Sequence, residues 1–484
     1  MAKVTQEIGE LDNDASDYPE ILGDESVPAP SPVLDAATKN GGAFRALRHR
    51  NFRYFWFGQL ISLIGTWMQN LAQGWLIVLL VDPVAHALLR HGGAAVGGPN
   101  AAAPTPQAEA AANLYSGWVN FAGGIPILVF TLFAGVVADR VDKRRMLLAT
   151  QTVLIFTALA LGVLCLRGTV EIWHVLFFAA LSGIAAAFDM PTRQSFIVEM
   201  VGKEDLPSAV ALNSSVFNGA RAVGPAVAGL LLAAHVSIGA AFVGNAILTL
   251  AAIVALLLMR LPPQAKKAGA VSVGQILSNM REGFGYVRSN HTIRNLMLLV
   301  GSLATFALSF NILIPVFVRY TLLPHAGAAE QVKAFGYMET IRGVGALLGA
   351  ITVAFLGGPA RQKNMLIWGA LASTGLLVVF GLTRSMWVAY ATMALVSYGF
   401  VVCFATSNTL VQLTLPDHLR GRVMSIYTLV FIGSMPIGSF FAGWVANKIG
   451  APPAILVCAV LSLLTTIWVA FRPGGLRDIG VAKG

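Results

Sequence analysis

Residues 135–145 read Gly135-Val136-Val137-Ala138-Asp139-Arg140-Val141-Asp142-Lys143-Arg144-Arg145, and an apolar run follows from Met146 to Leu166. A second apolar run, 115–138, precedes them. Crossing the hydrocarbon core takes about 20 mostly apolar residues as a helix. In lipid each backbone group must be bonded within its own segment, so runs of this length are read as helices. A basic knot between two such runs marks one side of a bilayer.

The same pattern recurs along the chain. Spans are expected at about 54–81, 115–138, 146–166, 172–190, 208–234, 237–259, 295–318, 334–357, 364–383, 386–414, 423–446 and 452–471, twelve in all. Composition agrees. Of 484 residues 56% are hydrophobic and only 12% charged, about half the roughly 25% typical of soluble domains. The mean hydropathy is +0.71. Loops 2–3, 4–5, 6–7, 8–9 and 10–11, the segment from Arg45 and the C-terminal tail hold 23 bases, whereas the opposite loops hold six: Arg90, Arg167, Arg319, Lys333, Arg384 and Lys448. Positive charge stays inside, so both termini are expected to be cytoplasmic. The expected location is a bacterial-type plasma (inner) membrane, with the lipid bilayer itself a partner. The net charge of +10 follows span ends, so no nucleic-acid partner is expected.

The chain divides into an acidic, disordered tail (1–43), a six-helix bundle (44–259), a cytoplasmic connector (260–294), a second six-helix bundle (295–472) and a short tail (473–484). The first tail carries nine acids against Lys3 and Lys39 and a Pro28-Ala29-Pro30-Ser31-Pro32 run, a composition that cannot bury a core. Residues 82–114, rich in Ala, Gly and Pro, form a flexible external loop. The connector turns amphipathic from Val273 to Val287, which suits a place along the membrane surface. Arg53 and Arg294 each precede a span at an offset of 241, and Arg145-Met146-Leu147-Leu148 matches Asn364-Met365-Leu366-Ile367 at an offset of 219. The 22-residue difference is about what the long 82–114 loop would insert into the first half. The fold class is therefore an all-α membrane protein of two pseudo-symmetric six-helix bundles, a plan that places a solute site between the halves near the midplane.

Polar residues inside the spans are the candidate machinery. Gln59, Ser62, Thr66, Gln69 and Gln73 recur at steps of 3 and 4, one stripe down a helix. Lipid penalises such a stripe, so it lines a cavity or bonds to neighbouring helices, the alternative that packing offers. Asn218 and Asn311 add amides to the candidate cavity. Arg221 falls about 13 residues into its span, near mid-membrane at 1.5 Å per residue. An unpaired charge there costs at least about 2.5–3.5 kcal/mol, so it faces inward. Glu339 and Arg342 share a helix face near the external surface. They either neutralise each other or take part in transport, with Glu339 the candidate proton carrier. Asp189 is a further proton-coupling candidate, read chiefly as a structural partner for loop arginines. Ala220, Gly224, Pro225 and Gly229 form a small-residue stripe with a kink, suited to close helix approach. Cys165, Cys403 and Cys458 lie in apolar runs and form no disulfide or metal pattern. No phosphate loop, nucleophile–base pair or metal constellation is present. The chain is expected to be no enzyme, to need no cofactor or metal, and to draw its energy from a gradient.

Gly135 to Arg145 resembles the loop 2–3 signature of the major facilitator superfamily: a Gly, three residues, Asp-Arg, then a basic pair. Asp142 departs from it, standing where the signature usually has Gly. The resemblance implies a cytoplasmic gate of Gly135, Asp139, Arg140, Arg144 and Arg145, whose Asp steadies the outward-open state. The counterpart from Gly357 to Lys363 lacks an acid, so the gate is asymmetric. Arg48-His49-Arg50-Asn51-Phe52-Arg53, Gly65-Thr66-Trp67-Met68-Gln69, Phe188-Asp189-Met190-Pro191-Thr192-Arg193-Gln194, Ala211-Leu212-Asn213-Ser214 with Arg221-Ala222-Val223-Gly224-Pro225, and Leu419-Arg420-Gly421-Arg422-Val423-Met424-Ser425 resemble one branch of that superfamily. This is the transmembrane secretion effector type, with the enterobactin exporter and macrolide efflux proteins. The Gly-Pro pattern of span 5 accompanies antiport in superfamily exporters. The resemblance implies a monomeric secondary transporter exporting an amphipathic small molecule of drug or siderophore class by proton antiport. A lysolipid or siderophore carrier with different coupling, and a non-transporting receptor or assembly component, remain alternatives.

Overall fold

The computed structural model describes residues 44–90, 105–260, 273–356, 358–472 and 474–476. The tail 1–43, residues 91–104 of the external loop, residues 261–272 of the connector and residues 477–484 lie outside the described residues.

Twelve helices are long and apolar enough to cross a membrane: α1 (Arg50–Val81), α2 (Pro106–Thr131), α3 (Lys143–Leu166), α4 (Ile172–Gly202), α5 (Glu204–Ala233), α6 (Ile238–Leu258), α7 (His291–Leu322), α8 (Ala328–Leu356), α9 (Arg361–Leu382), α10 (Met386–Thr414), α11 (His418–Ile449) and α12 (Ala451–Phe471). The expected count holds, and several boundaries move. The helix carrying α2 starts at Pro106, where Thr105 accepts a hydrogen bond from Ala108 N and Pro occupies the first turn, positions that need no intrahelical donor. Pro83–Arg90 is also helical. The loop expected at 82–114 is thus largely helix at both ends. α8 starts six residues before its expected limit, so Glu339 stands about 11 residues, roughly 16 Å, inside the helix rather than near its outer end. Gly202, at φ 70°, parts α4 from α5, a backbone conformation only Gly adopts freely.

Loops 2–3, 4–5, 8–9 and 10–11 lie at one end of the bundles, called the basic end below. From the opposite end to about mid-helix α5 and α8 hold the halves pressed together. A β-carbon at Gly336 in α8 would stand 2.7 Å from the Cα of Gly229 in α5, and one at Gly343 would stand 2.7 Å from the Cα of Ala222. α2 and α11 make the matching contact, with a β-carbon at Gly443 2.8 Å from the Cα of Gly117. Between lipid-soluble helices such close backbone approach supplies the association that hydrophobicity cannot. Polar contacts tie the same end. Asn113 donates to Ala446 O at 3.2 Å, Asn447 to Ala110 O at 2.9 Å, and Glu109 accepts from Ala451 N at 3.1 Å. Arg319 in α7 pairs with Asp82 at the end of α1, both side chains almost fully buried, and also donates to Gln331.

Toward the basic end α2 and α11 part around a cavity of about 540 Å³. Every inter-half hydrogen bond and ion pair named among the described residues lies at the closed end. The connector helix (Val273–Ser289) packs on α11, with Gly283 against Arg422 and Ile426, and Glu282 pairs with Arg422. It is anchored to the second bundle, not merely laid along a surface.

The Asp82–Arg319 pair yields a direct test. Removing one partner of a buried pair strands the other charge and costs about 3–5 kcal/mol, whereas replacing both is close to neutral. Asp82→Asn is expected to lower the thermal midpoint in detergent strongly, and Asp82→Asn with Arg319→Met to recover most of the loss.

Candidate functional site

α1 has two exposed strips. Phe57 and Ile61 are exposed and apolar; Thr66 and Asn70 are exposed and polar. The strip centres are nine residues apart, which places them on roughly opposite sides of the helix at 3.6 residues per turn. The first suits lipid and the second water. Asn70, four residues after Thr66 and three before Gln73 but absent from the expected stripe, extends Thr66 by one turn. The rest of the stripe divides. Gln59 and Ser62 are buried, Gln59 beside Gln151 of α3 and Arg193 of α4. Gln69 accepts from Asn245 of α6 at 2.5 Å. Gln73 is half-buried. Thr66 also donates to Ser62 O at 3.1 Å.

The four helices α1, α5, α7 and α8 bring one polar cluster together beside the close contact of Gly343 with Ala222. Glu339 and Arg342 of α8 form an ion pair with both side chains nearly buried. Arg342 Nη1 also donates to Asn311 Oδ1 of α7 at 2.5 Å. α7 supplies Asn311 from an irregular stretch: a π turn at Leu303–Ala307, then a 3-10 segment at Leu308–Leu313. Irregular backbone within a span marks a site where a helix bends or lines a cavity. A β-carbon at Gly438 of α11 would meet Thr305 O at 1.8 Å, so α11 seats directly on that stretch. Arg221 of α5 places its guanidinium carbon 5.6 Å from the centre of the Trp67 ring of α1 and interacts electrostatically with Arg342 and Glu339. Trp67 in turn stands edge-on to Phe217. Asn218 donates to Ser214 O within its own helix.

Two guanidiniums against one carboxylate leave the cluster with one net positive charge. Its unmet capacity is donor-only: Trp67 Nε1, Arg221 Nε and Arg342 Nε are buried without a hydrogen-bond partner. Such orphans are costly.

Asp189 of α4 is elsewhere, inside the first bundle. It accepts from Thr150 at 2.8 Å, from Gln151 at 2.9 Å, and from both Nε and Nη2 of Arg193 one turn on. Of the residues assigned to the gate, the side chains of Gly135, Asp139 and Arg140 lie outside the described residues. Arg144 donates to Leu257 O of α6 at 2.9 Å, and Arg145 is exposed. Lys143 pairs with Glu199. Asp142, the departure from the signature, caps α3 by accepting from Arg145 N at 2.8 Å. In the small-residue stripe of α5, Ala220 and Pro225 are buried. Gly224 meets α1 (a β-carbon there would be 2.6 Å from Trp67 Cβ), and Gly229 meets α8. The stripe thus contacts both halves.

Two six-helix halves, joined at one end and parted at the other around buried charges, define a membrane transporter of the major facilitator type. The chain belongs to the transmembrane secretion effector family of that superfamily, whose model matches residues 107–474. Among its relatives, the multidrug efflux pump Tap of Mycolicibacterium fortuitum is 25% identical over 75% of this chain and 88% of its own length. The enterobactin exporter EntS of Shigella boydii is 26% identical over 72% and 82%, and the staphyloferrin A transporter of Staphylococcus aureus is 25% identical over 73% and 86%. In fold it is similar to the nucleoside transporter NupG (TM-score 0.62, 13% identity, 85% of this chain and 98% of that one). It is also similar to a bacterial Spinster homolog solved inward-facing and unoccupied (TM-score 0.59, 14% identity, 86% and 96%).

Because Arg221 is the cation in excess, Arg221→Met is expected to leave the thermal midpoint in detergent unchanged or raised. A fall of several degrees would show that Arg221 holds the seam together instead.

Proposed function

We propose that this protein exports an amphipathic, acceptor-rich small molecule of drug or siderophore class by alternating access, coupled to proton entry. The observation that carries the reading is the net-positive cluster of Arg221, Glu339, Arg342 and Asn311 with its three unpartnered donors. It sits at the seam of the halves, where the polar strip of α1 also opens. The names of the relatives, which transport drugs and siderophores, support the cargo class. A cargo oxygen or anionic group competes with Glu339 for Arg342. Glu339, once released from that pair, is the carboxyl that takes and returns the proton. The cargo and the proton then alternate on one pair of groups, which is the logic of antiport. Unequal ends support alternating access: small-residue contacts and Asp82–Arg319 close one end while the other is parted. Thr66, Gln73 and Asn70 line the path from α1. Asp189, held by four hydrogen bonds, is the weaker proton candidate.

The protein acts as a monomer in a bacterial-type inner membrane, with the basic end and both termini cytoplasmic. In this orientation the structure is inward-facing. The outward-open state then uses the gate of Gly135, Asp139, Arg140, Arg144 and Arg145. A cysteine at Ala102 should react with an impermeant maleimide added outside intact cells, and one at Lys363 only after permeabilisation; the reverse pattern would invert the orientation.

Coupling is tested in proteoliposomes with a pH gradient and a panel of amphiphiles. Glu339→Gln is expected to abolish pH-driven efflux, a loss of tenfold or more, while inserting normally and still binding cargo. Unchanged pH-driven efflux in that variant would remove Glu339 as carrier.

A further inference from the structure

The cavity between α2 and α11 at the basic end is lined by none of the residues of the charged seam and is chemically divided along its length. Its inner end is apolar, formed by Ile127 and Leu128 of α2 and Leu429 and Ile432 of α11. It closes where Leu128 fills the space a side chain at Gly433 would need, 2.6 Å from the β-carbon position. Its outer end carries hydroxyls and bases: Thr131, Ser425, Thr428, His418 and Arg422. Gly421 to Gly433 covers about 12 residues of α11, roughly 18 Å at 1.5 Å per residue. The volume of about 540 Å³ falls within the roughly 300–1,000 Å³ of small-ligand sites. The connector helix adds Met280 to the wall, an adaptable apolar contact, and its Glu282 is paired with Arg422.

We infer that this cavity binds a single-chain amphiphile with an anionic headgroup, its apolar body between Leu128 and Ile432 and its headgroup on Arg422 in place of Glu282. The charge pattern selects this occupant. Among the described residues of the wall the bases are Arg422 and His418, and both sit at the outer end beyond an apolar inner end. The partner Arg422 now has is a carboxylate on a side chain half open to solvent (51% exposed). Exposed pairs of this kind are worth little, so a phosphate or carboxylate headgroup displaces Glu282 at small cost. The connector helix then senses occupancy, because its carboxylate is released when the site fills. The inference rests on the export reading only for its purpose, as a staging site for cargo; the binding itself does not depend on export.

The experiment measures binding to the purified full-length protein in neutral maltoside detergent, from the concentration dependence of the thermal midpoint. The probes are a lysophosphatidylglycerol, a lysophosphatidylcholine and inorganic phosphate. Saturable binding of the first, with the zwitterionic lipid at least tenfold weaker and phosphate inactive, is expected. Arg422→Gln should weaken it about ten- to a hundredfold, as loss of a charge-assisted contact does, and Thr428→Trp should abolish it by filling the cavity. Glu282→Gln breaks the same ion pair but leaves the cation free, and should bind as tightly as the native protein or tighter. Equal binding of the two lysolipids, binding of phosphate alone, indifference to Thr428→Trp, or equal losses in Glu282→Gln and Arg422→Gln would each overturn the inference. Glu339→Gln should bind the anionic lysolipid normally. Native binding in a protein that moves no solute would therefore sink the export reading alone, and efflux without lysolipid binding would sink this one alone.

Discussion

The backbone contact of Gly229 with Gly336 organises the molecule. No side chain intervenes, so α5 and α8 cross at a separation that only small residues allow, and Gly117 with Gly443 repeats this between α2 and α11. Lipid gives two helices no hydrophobic reason to associate, and close approach with interhelical hydrogen bonds must do so. Both crossings stand on the far side of the bundles from the basic loops. The halves are therefore in close contact at one end and parted at the other, and the cavities follow from that asymmetry. Asp82–Arg319 adds a buried charge pair to the closed end. It contributes little net stability while intact but penalises any state that breaks it one partner at a time.

The charged seam lies just below the Gly229–Gly336 crossing, and its chemistry depends on it. Were α5 and α8 held apart by larger side chains, Arg221 would not share a field with Arg342 and Glu339. The irregular turns of α7 serve the same point. α11 presses Gly438 onto Thr305 O, and the 3-10 segment that follows presents Asn311 to Arg342. A regular helix would place that amide differently. Three buried donors of the cluster, Trp67 Nε1, Arg221 Nε and Arg342 Nε, lack a hydrogen-bond partner, so the packing does not satisfy them locally.

Particular residues show how far the chain can be read without coordinates. The polar stripe of α1 is visible as a 3–4 spacing, but spacing gives only a face and not what the face meets. Gln69 turns to Asn245, 176 residues away, whereas Thr66 and the overlooked Asn70 face open space. Asp142 reads as a defect in a signature until its carboxylate is seen capping α3. The start of α2 at Pro106 was obscured by alanines, which are as common in loops rich in small residues as in helices. Glu339 was placed too near the surface because apolarity, not capping, set the expected start of α8.

By itself the sequence determined twelve spans, their alternation across the bilayer, the division into related halves and the presence of charges that lipid would not tolerate. These are one-dimensional quantities, set by how many apolar residues follow one another and where lysine and arginine interrupt them. Tertiary structure alone decided which end is closed, which members of the stripe are open, and that Arg221, Asn311, Glu339 and Arg342 form one cluster. Those outcomes depend on contacts between residues tens to hundreds of positions apart, and glycines that look interchangeable in the sequence are the ones that fix them.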